Sequence, residues 1–81
     1  MRTVAEIENL KKLGDRLKEL RLAKGYSSYE PFAYENNLSR ALYGRYEAGK
    51  GNPTFLNLIK MAEAFNISLS EMLQGIDFDY Q

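Results

Sequence analysis

Leu10, Leu13, Leu17 and Leu20 recur every three or four residues, the spacing that lines up side chains on one face of a helix. Gly25 follows Lys24 and supplies a stop, so a first helix is expected over about residues 4–24. Val4 and Ile7 drift off the leucine stripe, so the first two turns are expected to project beyond the core. Ser28 is a candidate cap for a second helix over about 29–36, with Phe32 and Ala33 on its buried side. Asn36-Asn37 ends it, because asparagine tolerates the left-handed backbone. Ser39 opens a third helix, about 40–48, which Gly49 stops. Thr54 opens a fourth, whose Phe55, Leu58, Ile59, Ala62 and Phe65 fall at helical spacing. Ser68 opens a fifth, with Glu71 three residues on completing a capping box and Gly75 ending it. No segment alternates as a strand does. The pattern predicts an all-α domain of five helices over residues 1–75, its first helix extended from about 4, followed by an acidic, aromatic tail at 76–81.

Composition narrows the chemistry. At 81 residues there is room for one core. The chain has neither cysteine nor histidine, which removes disulfides, thiolate chemistry, the usual zinc ligands and the commonest general base. There is no phosphate-cradling GxxxxGK and no nucleophile–base arrangement, so an enzyme is not expected, nor a cofactor or small-molecule ligand. No run of eighteen apolar residues would span a membrane, and the expected place is the cytoplasm.

Net charge is zero, which taken alone argues against nucleic acid, where phosphate neutralisation drives binding. The distribution changes that picture. Residues 1–35 carry +1. Residues 36–60 carry Arg40, Arg45, Lys50 and Lys60 against Glu47 alone, or +3, and residues 61–81 carry four acids and no base, or −4. A basic middle and an acidic tail cancel in the sum.

The third helix divides by phase. With Arg40 at zero, Leu42, Tyr46 and Tyr43 fall at about 200°, 240° and 300°, a buried stripe that Leu38 joins from the preceding turn. Arg40, Gly44, Ala48, Ala41 and Arg45 span about 0° to 140°. That second face is either plain solvent surface or a reading face. Gly44 favours reading, because a mid-helix glycine costs roughly 1 kcal/mol relative to alanine. A smooth strip would let the backbone approach a groove with an arginine on each side. An α-helix fits the DNA major groove, where arginine pairs with guanine and an alanine methyl touches the thymine methyl. Beyond it, Lys50, Gly51 and Asn52 offer a cation, an exposed backbone N–H and an amide of the kind that holds phosphates. Ser28 and Tyr29 stand at the start of the second helix, where N–H donors gather.

These residues are recognisable as a set. Leu13-Gly-Asp-Arg-Leu-Lys-Glu-Leu-Arg-Leu-Ala-Lys-Gly25, Ser28 opening a helix, Leu38-Ser39-Arg40, Arg45-Tyr46-Glu47-Ala48-Gly49-Lys50, Asn52-Pro53 and the run from Leu58 to Leu73 together resemble the Cro/cI-type (XRE-like) helix-turn-helix family of phage repressors. The resemblance covers about residues 13–73. It implies a five-helix, phage-repressor-like fold with the helix-turn-helix at helices 2 and 3. It implies base contacts from Arg40, Ala41 and Arg45, to which the exposed face adds Gly44. It implies phosphate contacts from Tyr29, Lys50 and Asn52, with Ser28 beside them, and a structural pair of Arg21 and Glu47. The sequence departs from the family at four places. One extra residue precedes helix 2 in Tyr26-Ser27-Ser28, and Asn37 stands for the usual turn glycine. Tyr43 and Tyr46 replace aliphatic core residues, and Gly44 fills a usually polar position.

The expected function is sequence-specific binding of double-stranded DNA by a transcriptional regulator, as a homodimer on a palindromic site. The dimer surface is expected either at helix 5 with the tail or at the projecting start of helix 1. The alternative is a protein-interaction module, an antitoxin or adaptor on the same fold, with weak or no DNA binding. The acidic tail could then mask the basic face.

Overall fold

Five helices follow one another without a strand among residues 1–80, which the computed structural model describes. They are α1 (Val4–Ala23), α2 (Tyr29–Glu35), α3 (Arg40–Glu47), α4 (Phe55–Phe65) and α5 (Leu69–Met72). The predicted boundaries hold to within two residues. Ser39 and Thr54 accept the N–H three residues on, and Ser68 with Glu71 forms the expected capping box. Thr3 and Glu6 form another at the start of α1. Ser28 sits at the cap position of α2, but its hydroxyl makes no capping bond.

Asparagine does the work of glycine at two turns. Asn37 has φ 58° between α2 and α3, and Asn66 has φ 59° after α4. The residue that replaces the family's turn glycine thus adopts the backbone that glycine would.

The core is aromatic at its centre. Phe32 is fully buried, stacked on Phe65 at 4.9 Å and tilted against Tyr43 at 5.2 Å. Tyr26, beside the extra residue before α2, meets Phe32 edge-on at 5.3 Å, and its hydroxyl donates to Glu35. Around this cluster Leu13, Leu17, Ala33, Tyr46, Met61, Ala62 and Met72 are buried. Pairs of rings in such geometry add about 0.5–1.5 kcal/mol beyond their buried area.

Two apolar assignments need correction. Leu42, expected inside, is 46 % exposed. The Tyr43 and Tyr46 rings beside it leave a cleft of about 130 Å³ between α3 and α4, and Leu42 lines its edge. Phe55, expected on the buried stripe of α4, is 64 % exposed, while Met61 is 1 % exposed. The stripe that packs is Leu58, Met61, Ala62 and Phe65, and Phe55 begins the helix beyond it.

The first turns of α1 do project, with Val4 77 % and Ile7 51 % exposed. The tail docks against this part of the helix. Asn9 Nδ2 donates to the Asp79 carbonyl at 2.9 Å, and the Asp79 N–H donates back to Asn9 Oδ1 at 2.7 Å. Lys12 donates to the Asp77 carbonyl and pairs with the Asp79 carboxylate. Arg16, one turn on, donates to the Glu71 and Met72 carbonyls at the end of α5. The tail therefore lies on α1, and Asp79 is held by Lys12 rather than over the basic face of α3.

Candidate nucleic-acid interface

α2 and α3 pack against each other across the Asn37 turn, and α1 runs behind α3. The orientation of α3 is fixed by its inward residues. Tyr43 and Tyr46 are 1 % and 8 % exposed, and the Tyr46 hydroxyl accepts from Asn57 Nδ2 at 3.0 Å. The Tyr43 hydroxyl is buried beside Glu47 without a hydrogen-bond partner. Burial, and then the neighbouring carboxylate, push its pKa far above the ordinary range, so it stays neutral.

Glu47 also turns inward. Its carboxylate takes two parallel bonds from Arg21, Nε to Oε2 and Nη2 to Oε1, both 2.9 Å. Arg21 is 4 % exposed and donates its remaining Nη1 to the Tyr26 carbonyl. The hydrogen bond to Glu47 raises the Arg21 pKa despite the cost of desolvation. The bidentate geometry ties the end of α1 to the end of α3. It also consumes the one carboxylate of α3. Among the described residues, Arg40, Arg45 and Lys50 take part in no ion pair.

The two outward arginines lean apart. The Arg40 guanidinium lies 5.8 Å from the centre of the exposed Tyr34 ring on α2. Arg45 Nη2 donates to the Lys50 carbonyl at 3.1 Å. An exposed cation–π contact gives about 0.5–1 kcal/mol and a hydrogen bond about 1 kcal/mol net, so either arginine exchanges its partner at low cost. Ala41 lies exposed between them.

Gly44 has a different neighbour from the one its phase suggests. A Cβ there would stand 2.6 Å from Tyr29 Cε1 and 2.7 Å from Cζ. The glycine makes room for the Tyr29 ring, which also tilts against Tyr43 at 6.5 Å. The glycine at 44, a departure from the family pattern, and the tyrosine at 29 are thus one packing solution. Gly51, expected to be exposed, is buried, and a Cβ on it would meet the Tyr46 ring at 2.7 Å. Lys50 and Asn52 on either side are exposed. Gly44→Ala is expected to destabilise the fold by about 1–3 kcal/mol, since the ring must shift. Most of that loss should vanish in a Tyr29→Ser background, and a double-mutant cycle by thermal unfolding checks this. Equal losses in both backgrounds would show that Tyr29 is not the obstacle.

The helix-turn-helix (HTH_3) family model matches residues 17–72, which holds α2, α3 and the loop after them. The chain belongs to this family. The control protein C.MunI of a Mycoplasma species is 38 % identical over 66 residues, covering 82 % of the chain and 89 % of that relative. The uncharacterised HTH-type transcriptional regulator YonR, from the SPbeta prophage of Bacillus subtilis strain 168, is 37 % identical over 62 residues, 76 % of the chain and 56 % of its own length. The crystal structure of the restriction-modification controller protein C.AhdI from Aeromonas hydrophila superposes with a TM-score of 0.73 at 40 % identity, over 80 % of the chain and 97 % of that structure. The protein is a non-enzymatic, DNA-binding transcription regulator of this family.

Sequence reasoning missed three residues that build this region. Gly14 lies in mid-helix, where a Cβ would meet the Glu47 and Tyr46 carbonyls at 2.5 and 2.6 Å. Asn9 holds the tail. Arg2 reaches the Lys50 carbonyl, with Nη1 at 3.4 Å. A glycine inside an otherwise strong helical pattern was a signal for the first. The other two depend on chain segments far apart and carried none.

Proposed function

We propose that this regulator binds double-stranded DNA sequence-specifically as a homodimer, with α3 in the major groove and α2 across the backbone. The observation that carries the reading is the charge of α3. Its only carboxylate is buried with Arg21, while Arg40 and Arg45 face outward without an acidic partner. Arg40 and Arg45 each read a guanine, and Ala41 meets a thymine methyl. At Gly44 the Tyr29 ring fills the space a side chain would take, so the contact expected of Gly44 passes to that ring. Ser28, Tyr29, Lys50 and Asn52 hold phosphates and set register.

Phe55 and Leu56 are 64 % and 71 % exposed at the start of α4, and a second copy would cover them. This surface joins the two expected ones, α5 with the tail and the projecting start of α1, as a candidate dimer contact. The reading places the protein in the cytoplasm with its DNA. The chain spans 89 % and 97 % of the two controller proteins, which favours that regulatory class.

Selection of bound sequences from a random duplex pool tests the whole reading. Two inverted half-sites at fixed spacing are expected. Arg45→Ala should relax one position per half-site, by about 1–3 kcal/mol of discrimination. Lys50→Ala should weaken every sequence alike. A pool that returns no preference would favour a protein-interaction role on the same fold.

A further inference from the structure

The N-terminal extension of α1 brings a third cation to the end of the recognition helix. Arg2 Nη1 lies 3.4 Å from the Lys50 carbonyl, the same oxygen that accepts from Arg45 Nη2 at 3.1 Å. Two guanidinium groups thus converge on one atom of a residue that carries its own ammonium. Arg2, Arg45 and Lys50 are all exposed, and none is in an ion pair among the described residues.

The acid at this corner makes its own hydrogen bond. Glu6 lines the same open cleft as Arg2 and Asn52, but its Oε1 accepts the Thr3 N–H at 2.7 Å in the capping box. That capping box also fixes the backbone one residue from Arg2, so the arginine hangs from an anchored helix start. The start of α1 adds the positive end of a 20-residue helix to the corner. Lys11 Cα lies within 2.9 Å of where a Cβ on Gly49 would stand, so the extension is seated directly against the loop after α3.

Three exposed cations outside any ion pair among the described residues make this corner attractive to an anion. We propose that Arg2 and Lys50 form a phosphodiester site beside Arg45, in which Arg2 clamps the DNA backbone at the edge of each half-site. The inference rests on the DNA-binding reading above and adds to it a contact from outside the helix-turn-helix. Arg2 carries no sequence information here. It contributes affinity and register, and it leaves Arg45 to read the groove.

The test is the salt dependence of binding to a random-sequence duplex and to the selected site, for the full chain and its Arg2→Ala and Arg2→Lys variants. Each neutralised phosphate contributes about 0.9 to the slope of log K against log salt. Arg2→Ala is expected to lower that slope by about one and to weaken both duplexes by the same factor. Arg2→Lys should keep most of the slope. Thermal unfolding of the variants should match the wild type, because Arg2 is outside the core. An unchanged slope for Arg2→Ala while the wild type still selects its site would overturn the phosphate clamp and leave the DNA-binding reading intact. A loss confined to the selected duplex would also overturn it, since that behaviour belongs to a base contact. Competition by inorganic phosphate at the concentration that ordinary screening predicts is expected. Displacement at much lower concentration would show a site for the free anion and overturn the assignment to DNA. A wild-type chain that binds no duplex overturns both readings.

Discussion

Glu47→Ala is expected to cost the fold about 3–5 kcal/mol, the largest loss from any single change outside the aromatic core. The cause is what the substitution leaves behind. Arg21 is 4 % exposed and would keep its charge in a site that no longer supplies two carboxylate oxygens. A small domain has only about 5–15 kcal/mol of net stability, so the variant should unfold at low urea or not accumulate folded. The companion variant keeps the idea testable. Arg21→Met with Glu47→Leu removes both charges and fills the space with apolar groups, which is often close to neutral. It forfeits the bond to the Tyr26 carbonyl as well, so a residual loss of about 1 kcal/mol is expected. If the double variant is as unstable as the single one, uncompensated charge is not the reason.

Gly14→Ala should be the next most damaging. A Cβ on Gly14 would lie 2.5 Å from the Glu47 carbonyl oxygen and 2.6 Å from that of Tyr46. Those atoms are backbone at the end of α3, so no side chain can swing away. α1 and α3 would have to separate, straining the Arg21–Glu47 bonds a few residues along. Overpacking of this kind costs about 1–3 kcal/mol and sometimes more, against a gain of roughly 1 kcal/mol from helix propensity. Because backbone atoms block the site, we expect the upper part of that range, a net loss of about 1–2 kcal/mol, or roughly 4–16 °C in Tm for a domain of this size. DNA affinity should fall as well, because the seat of the recognition helix moves. A Tm equal to the wild type would mean that the two helices approach less closely than the structure places them.

What the sequence disclosed follows from the range of the physics involved. Helix positions depend on local spacing and caps, and Ser39, Thr54 and the Ser68–Glu71 box fall where those rules put them. The Arg21–Glu47 pair was reachable only by resemblance, since nothing local links residues 26 apart, and the bond is there. Leu42 and Phe55 escaped because phase assigns a face and not a depth. How much of that face is covered depends on the neighbours: for Leu42 the rings of Tyr43 and Tyr46, for Phe55 its place at the very start of α4. Gly44 shows the same limit more sharply. Its unusual place on α3 was visible, but the object that fills the gap comes from α2. The proposed DNA contacts of Arg40, Ala41, Arg45, Ser28, Lys50 and Asn52 rest on exposure and charge, and those of Tyr29 and Gly44 on the ring that lies over the glycine.

The Tyr29 ring over Gly44 bears on how such a regulator changes its target. The simplest way to re-aim a helix-turn-helix is to transplant the outward residues of its recognition helix. In this chain a donor helix with any side chain at position 44 would arrive with an atom already inside the tyrosine. The exchangeable unit is therefore the pair of helices and not the third alone. A lineage carrying this pair can drift at Arg40, Ala41 and Arg45 one substitution at a time, but it leaves glycine at 44 only if residue 29 changes with it.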